Sequence, residues 1–123
     1  MKDIKEKNKV IARQFFALSS PIRLQILQLL TEREHCACEF PELLQISQPN
    51  ASRNLFVLKK AGLITSYRDG QRIIYSLESR EIQHLANRLN ELIESNTGLT
   101  FTLKDAYTKL IKRNRREDET DKQ

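Results

Sequence analysis

The chain has 123 residues, three glycines, three prolines and 39% apolar residues, enough for one hydrophobic core but not for two independent ones. No run approaches the ~18 consecutive apolar residues of a membrane span, and the opening Met1-Lys2-Asp3-Ile4-Lys5-Glu6 is charged throughout, so a cytoplasmic protein without membrane contact is expected. A net charge of +5 favours polyanionic partners, and the two cysteines, one residue apart, enclose too short a loop to staple a fold, so free thiols in a reducing compartment are expected.

Ile4, Ile11, Phe15 and Leu18 recur at helical spacing and predict a first helix over about 3–18. Ser20 is a good N-cap and Pro21 a good first residue for a second helix to about Leu30, burying Ile22, Ile26, Leu27, Leu29 and Leu30. A short third helix is expected from Cys36 to Leu44, with Ala37, Phe40, Leu43 and Leu44 inward. Ser47 then caps a fourth helix running to Ala61 and stopped by Gly62, with Ala51, Leu55 and Leu58 as its inward stripe. Leu63–Arg68 and Arg72–Leu77 are rich in strand formers and flank Asp69-Gly70-Gln71, a strong hairpin signal. A fifth helix over 79–94 carries Ile82, Leu85, Ala86, Leu89, Leu92 and Ile93, and Ser95-Asn96-Thr97-Gly98 closes it. Thr102 with Asp105 resembles a capping box for a sixth helix bearing Leu103, Ala106, Tyr107, Leu110 and Ile111. The expected organisation is a single domain over 1–112 with dimerisation helices at both ends, followed by a disordered charged tail over 113–123.

The basic charge is concentrated. Ser47–Arg80 holds six basic residues against two acids, whereas Thr31–Gln45 holds one against four. The order helix, short helix, turn, helix and basic hairpin is that of a winged helix-turn-helix, a mainly α fold with a small β-hairpin. In it a helix enters the major groove by its N-terminal end while the hairpin reaches the flanking backbone or minor groove. Gln48, Asn50, Ser52 and Arg53 cluster in the first turns of the fourth helix. Gln and Asn side chains can pair with adenine and Arg with guanine. Arg68 and Arg72 straddle the hairpin turn, where they can meet phosphate. Each group alone would also suit an ordinary solvated surface; the order in which they occur favours DNA.

The stretches Phe16-Ala17-Leu18-Ser19-Ser20-Pro21-Ile22-Arg23-Leu24-Gln25-Ile26-Leu27, Cys36-Ala37-Cys38-Glu39-Phe40, Ser47-Gln48-Pro49-Asn50-Ala51-Ser52-Arg53-Asn54-Leu55 and Leu58-Lys59-Lys60-Ala61-Gly62-Leu63-Ile64 resemble the ArsR/SmtB family of repressors over roughly residues 10–80. The resemblance implies a homodimer formed by the first and fifth helices, bound to a palindromic operator in double-stranded DNA and released when a metal or metalloid binds. Three positions depart from the family pattern. Asn54 stands where a histidine is usual, Phe56 where a basic residue is common, and His35 where an apolar residue often sits. Asn54 retains a donor for DNA, so these departures bear on operator preference.

Cys36 and Cys38 would lie about 200° apart in mid-helix and could not share an ion there, but at a helix start both sulfurs can converge. Thiolates select soft ions such as As(III), Sb(III), Cd(II) and Pb(II), and in the family a Cys-x-Cys at this place is the signature of arsenic- or cadmium-type sensing. Binding is expected to deform the start of the third helix, which supports the fourth. A third cysteine is absent from Glu39-Phe40-Pro41-Glu42, leaving an exogenous ligand, His35 for a borderline metal, or a carboxylate such as Asp3 or Glu6 of a partner arm. Two alternatives stand beside metal sensing: a thiol-redox response, or cysteines that sense nothing. The family's other metal site needs two histidines that the fifth helix lacks, and His84 is expected at the surface or interface. With no nucleophile elbow, glycine-rich phosphate loop or carboxylate–histidine cluster, the chain is not read as an enzyme.

Overall fold

The structure, a computed structural model, describes residues 2–97, 110 and 112, so the sixth helix and the charged tail expected from the sequence lie outside the described residues apart from those last two positions. Two compact units are distinguished, residues 1–82 and 83–123.

In the first unit, α1 (Lys2–Leu18) and α2 (Pro21–Glu32) are separated by Ser19 and Ser20. Ser20 has extended backbone and its Oγ accepts the Arg23 amide at 3.4 Å, while Pro21 opens the helix where its missing N–H costs nothing. The inward face of α1 differs from the expected one. Ala17 and Gln14 are buried, whereas Ile4 is 64% and Phe15 38% exposed. Polar bonding explains part of the shift: Gln14 Nε2 donates to the Ala61 carbonyl and to Glu81 Oε2, both at 3.3 Å, and so turns inward.

The segment after α2 is the main correction. In place of one helix from Cys36 to Leu44 there are a two-residue strand β1 (His35–Cys36), a 3₁₀ turn (Ala37–Glu39) and a short α3 (Phe40–Leu44). Strand β1 pairs with residues far along the chain, His35 with Tyr75 and Cys36 with Ile74, a partnership that helical periodicity cannot reveal. Leu43, expected inside, is 51% exposed. Gln45 then takes a left-handed conformation (φ 55°) between α3 and α4 (Gln48–Lys60), and Ser47 caps α4 by accepting the Asn50 amide at 3.2 Å.

Helix α4 buries Ala51, Leu55 and Leu58 as expected. Gly62 (φ 81°) follows it and leads into β2 (Ile64–Asp69) and β3 (Arg72–Leu77), an antiparallel hairpin with Gly70 (φ 64°) opening its two-residue loop. With β1 the sheet has three antiparallel strands in the order β1-β3-β2. The largest fully buried side chains are Phe40, Ile26, Leu58, Leu63 and Ile64, each contributing about 1.5–3 kcal/mol of apolar burial. Their positions on α2, α3, α4 and the hairpin hold the helix-turn-helix and the wing to one core.

Helix α5 (Ser79–Thr97) starts in the first unit and continues into the second, three residues beyond its expected end. Along it Leu85 is buried, while Leu92 is 55% exposed and His84 is exposed. No helix among the described residues is long and apolar enough to cross a membrane.

Candidate nucleic-acid interface and thiol site

The amino end of α4 presents Gln48, Ser52 and Arg53 to solvent, with Asn50 half-buried beside them. Gln48 and Ser52 are one helical turn apart and therefore share a face. Asn54 is not brought to that face. It is 8% exposed, its Oδ1 accepts from Arg23 Nη1 at 3.0 Å, and its Nδ2 donates to the Asn50 carbonyl at 2.9 Å and Asn50 Oδ1 at 2.7 Å. Arg23 is itself anchored, donating through Nε to the Ala17 carbonyl at 2.7 Å and through Nη2 to the Phe16 carbonyl at 3.1 Å. Asn54 thus fixes the roll of α4 through an internal hydrogen-bond network, and buried polar groups satisfied in this way specify one arrangement.

Arg68 and Arg72 are exposed near the hairpin tip, opposite Ile73 and Asp69 respectively. Two further exposed residues lie near these side chains: Phe56, which the sequence marked only as a departure from the family pattern, and Gln71, which it did not single out. Phe56 is 64% exposed one turn beyond Ser52 on α4, with Lys60 Nζ 5.8 Å from its ring centroid. Gln71 sits in the hairpin loop next to Arg72. The i, i+4 spacing from Ser52 was the available signal for Phe56, an apolar side chain of the kind that meets thymine methyl groups.

Cys36 caps the 3₁₀ turn. Its amide donates to Glu39 Oε2 at 2.8 Å, and its Sγ accepts the Cys38 amide at 3.3 Å. The two sulfurs converge as expected, close enough to be bonded to each other. Local geometry accounts for the proximity: an extended residue followed by a 3₁₀ turn brings the side chains at i and i+2 to one side, whereas an α-helix would point them about 200° apart. Glu39 also accepts from Arg33 Nη2 at 3.0 Å. That guanidinium holds the Glu39 carboxyl below the usual carboxylate range, the Cys36 amide adds to the effect, and partial burial opposes it.

His35 does not join the sulfurs. It is 3% exposed, its ring lies 5.7 Å from that of Phe40, and its Nδ1 is 2.9 Å from the Arg33 carbonyl. Adjacent residues of a strand also point to opposite faces, so His35 and Cys36 diverge. Glu6 is paired with Lys9 at 3.7 Å. Among the described residues, no group of three or more His, Cys, Asp or Glu is placed to hold a metal ion.

A cleft of about 410 Å³ joins these features. Cys36, Cys38, Gln48, Ser52, Gln71 and Arg72 all line it, so the sulfur pair, the amino end of α4 and the wing face one space.

A short supporting helix, a second helix with an exposed polar amino end and a basic three-stranded wing define a winged helix-turn-helix regulator. Residues 20–66 match the family model described as "Bacterial regulatory protein, arsR family". The chain belongs to the ArsR family, whose members are transcriptional regulators and not enzymes. It is 35% identical over 81 residues to the arsenical resistance operon repressor of Staphylococcus xylosus, covering 66% of this chain and 78% of that protein. It is also 35% identical over 69 residues to the HTH-type transcriptional repressor SmtB of Mycobacterium tuberculosis, covering 56% of this chain and 51% of the repressor, so the chain spans about half the length of that relative. Among solved structures, the homodimeric winged helix-turn-helix DNA-binding domain Mb0332 of Mycobacterium bovis matches with a TM-score of 0.64 and 25% identity, over 82% of this chain and 94% of that one.

Proposed function

We propose that the protein is a transcriptional repressor that binds palindromic double-stranded DNA as a homodimer and is released when a thiophilic ion binds Cys36 and Cys38. The observation that carries this reading is the shared cleft: the sulfur pair opens onto the same space as Gln48 and Ser52 of α4 and Arg72 of the wing. Gln48, Asn50, Ser52 and Arg53 read base edges, and Arg68 and Arg72 hold phosphate. Asn54 acts from behind by positioning Asn50. The relatives support repression, and the name of the Staphylococcus xylosus protein supports arsenic as the kind of signal.

The donor set suits soft ions. Two sulfurs supply the thiophilic half of a site for As(III), Sb(III), Cd(II) or Pb(II), and the remaining position falls to a ligand from solvent, since His35 is turned away. A second reading, control by thiol oxidation, is favoured by one observation, the approach of the Cys36 and Cys38 sulfurs to within bonding reach. Exposed apolar residues support dimerisation: Ile4, Val10 and Phe15 on α1, and separately Leu92 on α5, form surface that a second copy would cover. The homodimeric Mycobacterium bovis domain points the same way.

The test is fluorescence anisotropy on a duplex from the region upstream of the protein's own gene, titrated in turn with arsenite, antimonite, Cd(II), Pb(II), Zn(II) and an oxidant. Release by arsenite or Cd(II) supports metal control, and release by oxidant alone supports the redox reading. Release by none of them removes the sensor, and no binding to the duplex at low salt removes the repressor.

A further inference from the structure

Another cleft lies where the end of α1 meets the last turns of α4. Arg13, Phe16, Phe56, Val57, Lys60 and Ala61 line a space of about 200 Å³ there. We infer that this cleft is a binding site for a small aromatic carboxylate, a compound of one ring and one acid group. The inference goes beyond the repressor reading and does not depend on it.

A fixed contact builds the cleft. Gln14 is buried and its Nε2 donates to the Ala61 carbonyl at 3.3 Å, which pins α1 against the carboxyl end of α4 and keeps the opening between them in shape. Its apolar walls are bare: Phe16 is 63% and Phe56 64% exposed. Two aromatic rings bordering one small opening offer faces and edges on which a third ring can pack. Phe16 stands apart from the surface proposed for a second copy, because neighbouring residues of a helix point about 100° apart and Phe15 takes that side. The volume lies below the roughly 300 Å³ at which sites for drug-sized ligands begin, so a single ring is what the cleft admits.

Charge selects the rest of the ligand. The lining holds the cations Arg13 and Lys60 and no carboxylate. Lys60 Nζ stands 5.8 Å from the Phe56 ring centroid and the Arg23 guanidinium carbon 5.4 Å from that of Phe16, so positive charge already lies against both rings. Among the described residues neither Arg13 nor Lys60 has a carboxylate within ion-pair distance. The negative end of α4 offers an anion little opposition, since the Leu58, Lys59 and Ala61 carbonyls already accept from the Leu63 amide, the Gly62 amide and Gln14. A carboxylate therefore finds two unspent cations beside the rings that take its apolar part. The cleft also borders the network that sets α4: the Phe16 carbonyl accepts from Arg23, which holds Asn54 and through it Asn50.

The experiment titrates full-length protein with benzoate at low salt, followed by saturation-transfer NMR of the ligand. Saturable binding with a Kd of about 1 mM or lower is expected, and its absence overturns the inference. Benzamide, which keeps the ring without the charge, and acetate, which keeps the charge without the ring, should each bind at least about tenfold more weakly. Binding by either as tight as that of benzoate overturns the ligand class. Arg13 and Lys60 are exposed, so the Arg13→Gln, Lys60→Gln double variant keeps the fold, and it should weaken benzoate about tenfold or more. Phe56→Ala should act in the same direction, whereas Arg80→Gln, at an exposed cation outside the cleft, should change nothing. An unchanged Kd in the double variant, or an equal loss in Arg80→Gln, overturns the location. A Kd that rises with protein concentration shows that a second copy covers the cleft and overturns the inference as well.

Discussion

Strand β3 is held very differently along its two edges. Towards β2 it forms six residue pairs across a two-residue loop, and towards β1 only two, His35–Tyr75 and Cys36–Ile74. The first edge is local in sequence and closes with little loop entropy; the second joins residues about 40 positions apart. The wing is therefore a robust local hairpin, whereas the cysteine segment is latched to it by few backbone bonds and by the packing of Phe40 beneath His35 and Tyr75. Segments with so few long-range contacts open at lower cost than the rest of a fold. Under the function proposed above, a chemical signal is received at the weak edge and displayed at the strong one.

The largest effect should come from breaking the latch at its apolar anchor. Phe40 is fully buried, and Phe40→Ala is expected to destabilise the fold by about 3–5 kcal/mol, read by urea unfolding. Removal of that anchor should expose β1 to hydrogen exchange well before the β2–β3 ladder. Uniform loss of protection in both edges would show that the latch is no weaker than the hairpin.

Replacing both sulfurs tests the signal without the latch. The Cys36→Ser, Cys38→Ser double variant should bind the duplex like the natural protein and lose its response to arsenite or Cd(II), a coupling of about 1–3 kcal/mol. Retained release in an anisotropy titration would move the inducer site elsewhere.

On the strong edge, Arg72→Ala should weaken duplex binding and lower the slope of log Kd against log salt by about one, because one phosphate contact is lost. The smallest change is expected at the cap of the cysteine turn. Glu39→Gln keeps the side chain's shape but removes its charge, and should loosen the turn by about 1 kcal/mol or less. Because the folded value of Glu39 is depressed, its contribution is present above the usual glutamate range and is lost as pH falls through the lowered value. The protection of the Cys36 amide, taken relative to its intrinsic exchange rate at each pH, should therefore fall at acid pH in the natural protein and change little in the variant.

The same asymmetry explains how much could be read from the sequence. The hairpin was legible because Asp69-Gly70 and alternating strand formers are local signals, and α4 was legible because Ser47, Ala51, Leu55, Leu58 and Gly62 mark its cap, stripe and stop. Strand β1 was not, since His35 and Cys36 take their conformation from Tyr75 and Ile74. At the site, the convergence of Cys36 and Cys38 followed from their spacing near a helix start. The inward turn of Asn54 depended on Arg23, 31 residues earlier, and no periodicity in α4 announces such a partner. The exposure of Phe15 and Ile4 was missed because spacing alone cannot tell a core face from one left for a second copy.

Gln45 offers a consequence of another kind. It joins α3 to α4 in the left-handed region, where a side chain costs about 1–2 kcal/mol that glycine avoids. Glycine gives back part of that gain through its freedom in the unfolded chain. The turn of the helix-turn-helix thus keeps a small reserve for protein engineering: Gln45→Gly can raise the melting temperature modestly at a position that lines neither the thiol cleft nor the reading face.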